Sequence, residues 1–467
     1  MHPAIALDLG STRFKTALTE PDGMLSHFRS IEAPSLKGSG LIREGDALEY
    51  IKRATELLRD SLAGLSKDTP IGIASRRSSF LLWDKASGLP ATPLISWQDR
   101  RALHWCEMRR DQAKKITEHT GLVWSPHYAG PKLAELFSAD LSLKRAAEKG
   151  ILLFGTLETF LLWKLSNKKI HQTDLSMAAR TMLTDPRQGE WSGELLDYFG
   201  VPETILPSIK TTWGRNAPLE IGGIVCATIA DQSASIIGAA DATLGGLIIN
   251  LGTGGFVIRP TGRKMLSAEK YLSFPVFQSP NNNIEFALEG TINAISDALS
   301  KLHNVRISIN EEDTEPNFFC LPDSSGTGAP YWRADVSTRF SKDRSKLNTS
   351  TIKRAIMEGI IFRACQISED LFRDTSPPSK IILSGGMAQE EFIQQGLTAC
   401  LGLPVRVLHE KEATLKGAGL LALNALTEHK LQYHTVMPDL KSGYLKEKFI
   451  RWKKWTESEL NVIKSKI

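Results

Sequence analysis

Two turns in the sequence combine glycine with hydroxyl side chains directly after an apolar, strand-like run. The first is residues 10–12 (Gly-Ser-Thr) after residues 4–9, and the second is residues 252–254 (Gly-Thr-Gly) after residues 247–251. Glycine lets the backbone turn tightly and approach a ligand closely. Backbone N–H groups and hydroxyls at such a turn form a concave anion site. One such turn would be an ordinary hairpin, but two at the starts of similar halves indicate a bound phosphate chain.

A carboxylate stands immediately before the first turn. Asp8 would repel phosphate unless a cation lay between them, and Mg²⁺ binds oxygen ligands while keeping several of its waters. We therefore expect Asp8 to hold Mg²⁺ through water. The alternative is an ordinary strand-end aspartate that caps the turn. Asn250 occupies the corresponding place before the second turn, so only the first turn is expected to hold the metal.

Asp231 begins a run of small residues after the strand-like residues 224–228. Its simplest interpretation is a helix N-cap, for which aspartate is well suited. The functional interpretation is a general base that accepts the proton of a hydroxyl as it attacks a phosphoryl group. For phosphoryl transfer, the protein mainly has to position the reactants, neutralise charge and provide a group that orients the nucleophile. Both interpretations can hold together, because a helix N-terminus favours negative charge.

Residues 97–101 (Trp-Gln-Asp-Arg-Arg) place an aromatic ring beside an acid and two bases. Such a surface suits polyols and sugars, which present both CH faces and hydroxyls. The alternative is a helix start with surface arginines. Residues 76–79 (Arg-Arg-Ser-Ser) also have two possible interpretations, a basic turn or a group of hydroxyl-binding residues.

A third glycine turn, residues 384–387, follows an apolar run and would let the backbone approach a flat ligand such as adenine. Two adjacent glycines are weak evidence by themselves. Residues 414–419 also contain two glycines, and these predict close helix packing.

The elements that must position these residues alternate in type. Strands are predicted over residues 5–9, 14–19, 25–31, 71–75, 80–83, 224–228, 284–288, 381–384 and 405–408, and a hairpin of two strands is predicted over residues 247–259. Helices are predicted over residues 47–62, 231–240, 291–302, 350–372, 391–400 and 414–425, with residues 100–165 mostly helical. This order indicates α/β domains with partly antiparallel sheets. A chain of 467 residues is too long for one core, and we place the domain boundary between residues 1–241 and 242–467.

Composition excludes several classes of protein. With 42% hydrophobic and 23% charged residues the chain is typical of a soluble globular protein. A net charge of +5 does not by itself imply nucleic acid. The five cysteines are far apart, which argues against a zinc site or a disulfide framework. The longest apolar run is too short to span a bilayer and no signal peptide is evident, so we expect a cytoplasmic protein.

Taken together, the motifs resemble the FGGY carbohydrate kinases of the actin- and hexokinase-like ATPase superfamily. The matching segments span nearly the whole chain and are residues 8–12, 97–101, 171–181, 230–232, 251–256 and 384–386. Residues 287–290 and 328–332 are similar to the glycerol kinase branch. The resemblance implies two ribonuclease H-like (actin-like ATPase) domains, α/β in class, with mixed sheets flanked by helices and a cleft between them.

The resemblance also implies roles. Asp231 would be the general base of an ATP-dependent kinase acting on a hydroxyl of a small polyol or sugar, and Asp8 would hold Mg²⁺ through water. The implied substrate-binding residues are Arg77, Ser78, Trp97, Asp99, His127, Asp231 and Gln232. The implied nucleotide-binding residues are Gly10, Ser11, Thr12, Lys15, Gly252, Thr253, Gly254, Gly385, Gly386 and Glu390. ATP and Mg²⁺ are the expected cofactors; neither nucleic acid nor a membrane is an expected partner, and a homodimer is reasonable.

The sequence departs from the glycerol kinase pattern at three places. Ser78 stands where glycerol kinases have a glutamate that accepts hydrogen bonds from glycerol, and His127 stands where a tyrosine is expected. Glu390 lies where the adenosine motif usually has serine or asparagine. An unpaired buried hydroxyl costs about 1–3 kcal/mol, so the expected acceptors extend to pentuloses and other ketoses. Two other functions stay open: a nucleotide-driven, actin-like ATPase, and a degenerate kinase that binds without turnover.

Overall fold

The computed structural model describes residues 2–464, apart from residues 240–245, 268–269, 301, 303, 310–312, 374–377, 379, 427–430 and 440–442. The chain forms two compact units. Unit 1 comprises Met1–Leu244, Thr261–Ala287 and Glu412–Lys430, and unit 2 comprises Gly245–Pro260, Leu288–Lys411 and Leu431–Ile467. The boundary predicted between residues 241 and 242 lies outside the described residues. The division into functional domains 1–241 and 242–467 stays a prediction, and two segments that it gives to the second domain belong to unit 1.

The bounds of the regular elements are as follows. The strands are β1 (Ala4–Leu9), β2 (Arg13–Thr19), β3 (Leu25–Glu32), β4 (Glu44–Gly45), β5 (Pro70–Ser75), β6 (Phe80–Asp84), β7 (Leu94–Ile95), β8 (Leu152–Thr156), β9 (Gln172–Asp174), β10 (Thr184–Asp185), β11 (Glu190–Trp191), β12 (Ser208–Lys210), β13 (Trp213–Pro218), β14 (Ile224–Ala230), β15 (Leu247–Leu251), β16 (Gly255–Gly262), β17 (Leu272–Gln278), β18 (Ile284–Ile292), β19 (Cys320–Leu321), β20 (Arg339–Phe340), β21 (Ile381–Ser384), β22 (Val405–Leu408) and β23 (Tyr433–Val436). The α-helices are α1 (Ala47–Leu62), α2 (Leu103–Glu107), α3 (Ala113–Thr120), α4 (Ala129–Ala139), α5 (Leu141–Glu148), α6 (Leu157–Leu165), α7 (Leu175–Ala178), α8 (Gly193–Phe199), α9 (Asp231–Ala239), α10 (Ile295–Leu299), α11 (Thr349–Arg373), α12 (Glu391–Leu401), α13 (Ala413–Leu423) and α14 (Tyr444–Lys464).

The central sheet of unit 1 has the strand order β13-β14-β5-β1-β2-β3. Strands β1, β5 and β14 are parallel, and their register pairs Leu9 with Ser75 and Ser75 with Ala230. Their mostly buried, apolar sequences are those of strands covered on both faces. Because the carboxyl ends of these strands lie side by side, the segments that follow them emerge at one edge of the sheet. The residues that follow the three strands are Gly10, Arg76 and Asp231.

Helix α1 covers one face of this sheet. Asp46 caps its N-terminus by accepting hydrogen bonds from the backbone N–H groups of the second and third helical residues. Tyr50, Leu57 and Leu58 form the buried side of the helix and pack into the core that includes the apolar residues of β1 and β5. The amphipathic pattern that predicted this helix therefore also determines which face of the sheet it covers.

Helices α9 and α13 cover the opposite face and approach each other very closely. A Cβ atom on Gly417 would lie 1.9 Å from the carbonyl oxygen of Ala234, and one on Gly238 would lie 2.0 Å from that of Ala413. Only glycine permits backbones to approach to this distance. The close helix packing predicted for residues 414–419 is present, and it fixes the helix that begins at Asp231.

A smaller sheet of unit 1, with the order β4-β7-β6-β8, positions the segment around Trp97. Strand β7 ends at Ile95, directly before Ser96 and Trp97. The buried ammonium group of Lys132, on α4, donates a hydrogen bond to the carbonyl oxygen of Ser96 at 2.8 Å. The backbone that carries Trp97 is therefore held from two sides.

The second large sheet has seven strands in the order β17-β18-β16-β15-β21-β22-β23. Strands β15 and β21, in unit 2, are parallel, and their register pairs Asn250 with Ser384. The turn at residues 252–254 and the glycine at 385 therefore follow neighbouring strand ends. Helices α11, α12 and α14 pack against one another in this unit.

The predicted strands and helices are largely present, but one helix has a wrong start and several strands were not predicted, among them β8, β13 and β17. The helix predicted over residues 291–302 is wrong at its start, because β18 continues to Ile292 and α10 spans only Ile295–Leu299. Strand β8 was not predicted, since a short apolar run cannot be assigned to strand or helix from its periodicity alone. Ala240, the last residue of the helix predicted from Asp231, lies outside the described residues. Within the described part of the chain, no helix has the length and apolar character needed to cross a membrane.

Candidate active site

The first glycine turn connects two strands, as the sequence predicted, and the structure places it at the carboxyl edge of the parallel strands. Gly10 connects β1 to β2, and a Cβ atom there would lie 2.7 Å from the carbonyl oxygen of Arg13. Ser11 and Thr12 are exposed at the tip of the hairpin. The indole N–H of Trp97 donates to the hydroxyl of Ser11 at 3.1 Å, which links the turn to the predicted substrate segment.

Asp8 is buried beside this turn, and its Oδ1 atom has no hydrogen-bond partner among the described residues. Burial raises the pKa of the Asp8 carboxyl from 3.8 to about 7, and the negative charges of Asp231 and Glu412 add to that effect. Lys15 and Arg76 oppose it only partly. A buried carboxylate in this situation is stabilised by a cation.

The chemistry of Asp8 fits Mg²⁺ held through water. The described residues include no cluster of three or more His, Cys, Asp or Glu side chains that would form an all-protein metal site. Mg²⁺ does not require one, because it is usually bound by one or two carboxylates together with waters and substrate phosphates. A single carboxylate with an unpartnered oxygen beside a phosphate turn meets that requirement.

Lys15 makes a contact that the sequence did not predict. Its ammonium group donates to both carboxylate oxygens of Glu412, at 2.9 and 2.8 Å. Glu412 immediately precedes α13, and no motif pointed to it. The nucleotide-binding role expected for Lys15 stays a prediction. The Lys15 ammonium group is already paired with the Glu412 carboxylate.

Asp231 is the first residue of α9, and its side chain is about one quarter exposed. The guanidinium Nε of Arg77 lies 3.7 Å from its Oδ1 atom. The backbone N–H of Gln232 donates to the same oxygen at 2.8 Å, and the Gln232 side chain is partly exposed at the second position of the helix. An accessible carboxylate is thus held in one orientation beside a cation and a helix N-terminus.

The strand end before Asp231 is held by a buried serine. The Ser176 hydroxyl accepts a hydrogen bond from the backbone N–H of Ala230 at 2.9 Å and donates to Asp174 Oδ2 at 2.8 Å. Asp174 in turn caps α7 through the backbone N–H groups of Ser176 and Met177. This gives the motif at residues 171–181 a structural purpose, since it fixes the backbone adjacent to Asp231.

Aromatic rings and cations surround the predicted substrate residues Trp97 and His127. The two rings are 5.7 Å apart, and Tyr128 packs edge-on against His127 at 4.9 Å. Burial holds the pKa of His127 well below its usual range, and the charges of Lys132, Arg180 and Arg77 lower it further. His127 is therefore neutral near pH 7 and offers one donor and one acceptor.

Two predicted substrate residues are engaged within the protein. Ser78 is 1% exposed and donates its hydroxyl proton to the carbonyl oxygen of Arg180 at 3.1 Å. Asp99 is fully buried, and its oxygens accept hydrogen bonds from the Arg101 guanidinium and the Arg43 backbone N–H. Burial opposes ionisation of Asp99, but these bonds outweigh it and lower its pKa. Substrate contact by either residue stays a prediction, and the observed contacts are those of positioning residues.

Unit 2 contains the second set of predicted nucleotide-binding residues. In the turn after β15, the Gly252 N–H donates to the Gly254 carbonyl at 2.9 Å, and Thr253 is exposed. Gly385, with a φ of +95°, follows β21, and a Cβ atom there would lie 2.4 Å from the Leu251 carbonyl oxygen. Glycine is therefore required at this point.

The predicted adenosine turn continues into open surface. No atom lies within 4 Å of a Cβ atom built on Gly386. Glu390 is exposed and precedes α12 without capping it through its side chain. Within unit 2 the sheet brings the 252–254 turn and Gly385 together, while Glu390 lies one short helical segment further along the chain.

Comparison with known proteins identifies the family. The model of the FGGY family of carbohydrate kinases, N-terminal domain, matches residues 4–245, and that of the C-terminal domain matches residues 247–426. A glycerol kinase of Xanthobacter autotrophicus is 29% identical over 446 residues, which cover 90% of this chain and 89% of that protein. A glycerol kinase of Streptococcus pneumoniae is 30% identical over 372 residues, covering 75% and 74% of the two chains.

Solved structures agree in fold. The structure of Plasmodium falciparum glycerol kinase with ADP superimposes with a TM-score of 0.86 at 21% identity, covering 98% of both chains. A ligand-bound xylulose kinase and a gluconate kinase of Lactobacillus acidophilus each give a TM-score of 0.85, at 19% and 20% identity. Each of these two alignments covers 98% of this chain and 98% of the solved chain. The two family models together span most of the sequence, and the chain belongs to the FGGY family of carbohydrate kinases, phosphotransferases with a hydroxyl group as acceptor.

Proposed function

We propose that this carbohydrate kinase transfers the γ-phosphate of ATP to a hydroxyl of a small polyol or sugar, with Asp231 as the general base. The observation that carries the proposal is the common position of Asp231 and the Gly10 turn. Both follow parallel strands of one sheet, β1 and β14, which lie on either side of β5. An accessible carboxylate and a phosphate-binding turn thus stand at the same edge, where α/β sheets usually bind their ligands.

Asp231 would accept the hydroxyl proton as the acceptor oxygen attacks phosphorus. Its contacts with Arg77 and the Gln232 N–H leave part of the carboxylate exposed. The helix N-terminus and the nearby guanidinium stabilise negative charge at this position. A carboxylate held in this way can orient the acceptor and remove its proton as transfer proceeds.

The exposed Ser11 and Thr12 hydroxyls and the backbone N–H groups of their turn would bind phosphate oxygens in unit 1. Asp8 would hold the waters of a Mg²⁺ ion. When bound, this ion neutralises phosphate charge that accumulates during transfer. In unit 2, the Thr253 turn would bind phosphate oxygens, and Gly386 would allow the adenine ring to approach the backbone.

The acceptor would lie against Trp97 and His127. Aromatic faces suit the CH surface of a polyol, and the neutral imidazole can both donate and accept a hydrogen bond. Ser78 is 1% exposed, and its hydroxyl proton is donated to the Arg180 carbonyl oxygen, so it offers a substrate at most one neutral oxygen where glycerol kinases have a carboxylate. The substrate range we propose therefore includes glycerol, pentuloses and other ketoses. The similarity to glycerol and xylulose kinases supports this range.

A coupled assay of ADP release, run with ATP and Mg²⁺ over polyols, ketoses and aldonates, tests the proposal. We expect ADP release to depend on one acceptor class. Release that is independent of any acceptor would indicate a nucleotide-driven ATPase, and binding of an acceptor without ADP release would indicate a degenerate kinase. Either outcome would overturn the proposed function.

A further inference from the structure

A cavity of about 500 Å³ lies in unit 1 beside the first phosphate turn. Its wall consists of Arg76 and three chain segments, which are residues 11–13, 32–36 and 96–98. The volume lies within the range of small-molecule sites. The cavity extends from the phosphate turn to Trp97, so it adjoins the place where the acceptor is proposed to bind.

Arg76 is the unusual member of this wall. Its side chain is 2% exposed, and its guanidinium stacks on the Tyr50 ring with the carbon 4.5 Å from the ring centroid. The Nη1 atom donates to the Tyr50 hydroxyl at 3.4 Å. The Nε and Nη2 atoms are buried and have no hydrogen-bond partner among the described residues. Buried cationic donors without an acceptor are costly, so these two are suited to a ligand that supplies one.

The two unpartnered atoms share one edge of the guanidinium plane. Parallel N–H groups on such an edge match the two oxygens of a carboxylate or phosphate group. Burial lowers the pKa of Arg76, while the charges of Asp231 and Asp8 raise it, so the guanidinium lies within electrostatic range of the proposed catalytic carboxylates. The other charged residues on the wall are Arg13, which donates to the Ser30 hydroxyl at 2.7 Å, and Glu32.

We propose that Arg76 binds an oxyanion, and that this oxyanion is the carboxylate of a polyhydroxy-acid acceptor. The inference rests on the proposed kinase function and extends its acceptor class from neutral polyols and sugars to polyhydroxy acids. The apolar surfaces of Ala33, Pro34, Leu36 and Trp97 line the same cavity. They suit the carbon chain of an acid better than a triphosphate, because a phosphate chain offers no CH surface to cover.

Matched pairs of acids and neutral polyols test the inference. ADP release would be measured with xylonate against xylitol and with erythronate against erythritol, for the wild type, Arg76→Met and Arg76→Lys. Arg59→Met, which removes an exposed arginine near the end of α1, is the control. We expect the wild type to prefer the acids by about tenfold or more in kcat/KM, as expected for charge-assisted hydrogen bonds.

The two Arg76 variants should distinguish the effect of the bidentate guanidinium geometry from the effect of its positive charge. Arg76→Met should lose about 10- to 100-fold in kcat/KM for the acids through a higher KM, with little change for the polyols or in the KM for ATP. Arg76→Lys should recover only part of the loss, and Arg59→Met should behave as wild type. A wild-type preference for polyols would overturn the inference. A rise in the KM for ATP alone in Arg76→Met would also overturn it, because it would indicate that the Arg76 guanidinium binds a nucleotide phosphate. If thermal melting shows that Arg76→Met does not fold, the inference is tested by the kcat/KM ratios of acids over polyols for Arg76→Lys and for the wild type.

Failure of the proposed function can be told apart from failure of this inference. Calorimetric titration of xylonate in the absence of ATP measures binding without turnover. Binding that depends on Arg76 in a protein without ADP release would retain the oxyanion site and overturn the kinase proposal. Equal binding of xylonate to the wild type and to Arg76→Lys would overturn the oxyanion site.

Discussion

Lys15 lies directly opposite Asp8 in the antiparallel pair of β1 and β2, but its ammonium group is bound by both oxygens of Glu412. Two carboxylates therefore compete for one cation at the phosphate turn. Because Lys15 pairs with Glu412, it does not pair with Asp8, whose Oδ1 atom has no hydrogen-bond partner among the described residues. Asp231 adds a third negative charge within electrostatic range, so this part of unit 1 favours a bound cation.

Binding of Mg²⁺ should depend on pH through Asp8. Its pKa is raised to about 7 by burial and by the charges of Asp231 and Glu412, and the proton competes with the metal below that value. We expect the apparent Kd for Mg²⁺ to be nearly constant above pH 8 and to rise by up to about tenfold per pH unit below pH 6. Titration of the ATP complex with Mg²⁺ between pH 5.5 and 8.5 measures this. A pH-independent Kd would contradict the role of Asp8, and Asp8→Asn should bind Mg²⁺ weakly at every pH.

The same carboxyl should make the metal-free protein less stable at high pH. The unfolded carboxyl titrates near 3.8 and the folded one near 7, so the folded state binds the proton more tightly. The stability present below pH 3.8 is therefore lost as the pH rises to 7, by an amount on the order of 4 kcal/mol. Asp8→Asn should raise the Tm of metal-free protein at pH 8 and change it little at pH 4. Equal effects at both pH values would contradict this assignment.

Asp231→Asn should reduce kcat by about 10²- to 10⁴-fold, because the amide cannot accept the acceptor proton. The backbone N–H of Gln232 can still donate to the amide oxygen, so the fold and the KM for ATP should be retained. Steady-state kinetics with the best acceptor and thermal melting provide the measurement. Asp197→Asn, an exposed change on α8, is the control. Turnover near the wild-type level in Asp231→Asn would rule out the general-base assignment.

Ser176→Ala tests whether the strand end before Asp231 is held by hydrogen bonding. The change leaves the buried N–H of Ala230 without its acceptor, which costs about 1–3 kcal/mol. We expect a lower Tm, and a fall in kcat that exceeds any rise in the KM for ATP. Ser138→Ala, which removes only a bond to the Ala134 carbonyl within α4, is the matched control. If Ser176→Ala lowers Tm without affecting kcat, its role is structural only.

Much of the site could be predicted from local sequence. A glycine turn after an apolar strand has few interpretations, and the strand alternation showed that residues 8–12 and 231 follow buried strands. The register then places Gly10, Arg76 and Asp231 at one sheet edge, which no local pattern specifies. Local sequence was therefore sufficient to predict these turns and strand ends, while the roles assigned to the residues stay predictions.

The residues that were missed act through partners distant in sequence. Glu412 reaches Lys15 only because α13 packs on the first sheet, and the chain returns to unit 1 long after leaving it. For Arg76 the sequence left open a basic turn or a hydroxyl-binding role, since its unpartnered edge is visible only when the contacts of Tyr50 are known. The full burial of Asp99 and its hydrogen bond from the Arg43 backbone N–H were likewise not predicted, because Arg43 is distant in sequence; its contact with substrate stays a prediction.

Gly417→Ala tests whether the glycine contact between α13 and α9 supports the catalytic helix. The new Cβ atom would lie 1.9 Å from the Ala234 carbonyl oxygen, so the helices must separate, at a cost of about 1–3 kcal/mol or more. Since Asp231 begins α9, we expect a lower Tm together with a reduced kcat. Gly193→Ala, in α8, is the matched control because its Cβ atom meets no other atom within 4 Å, and it should leave both quantities nearly unchanged. A variant Gly417→Ala as stable and active as the control would show that close approach of these helices is not required.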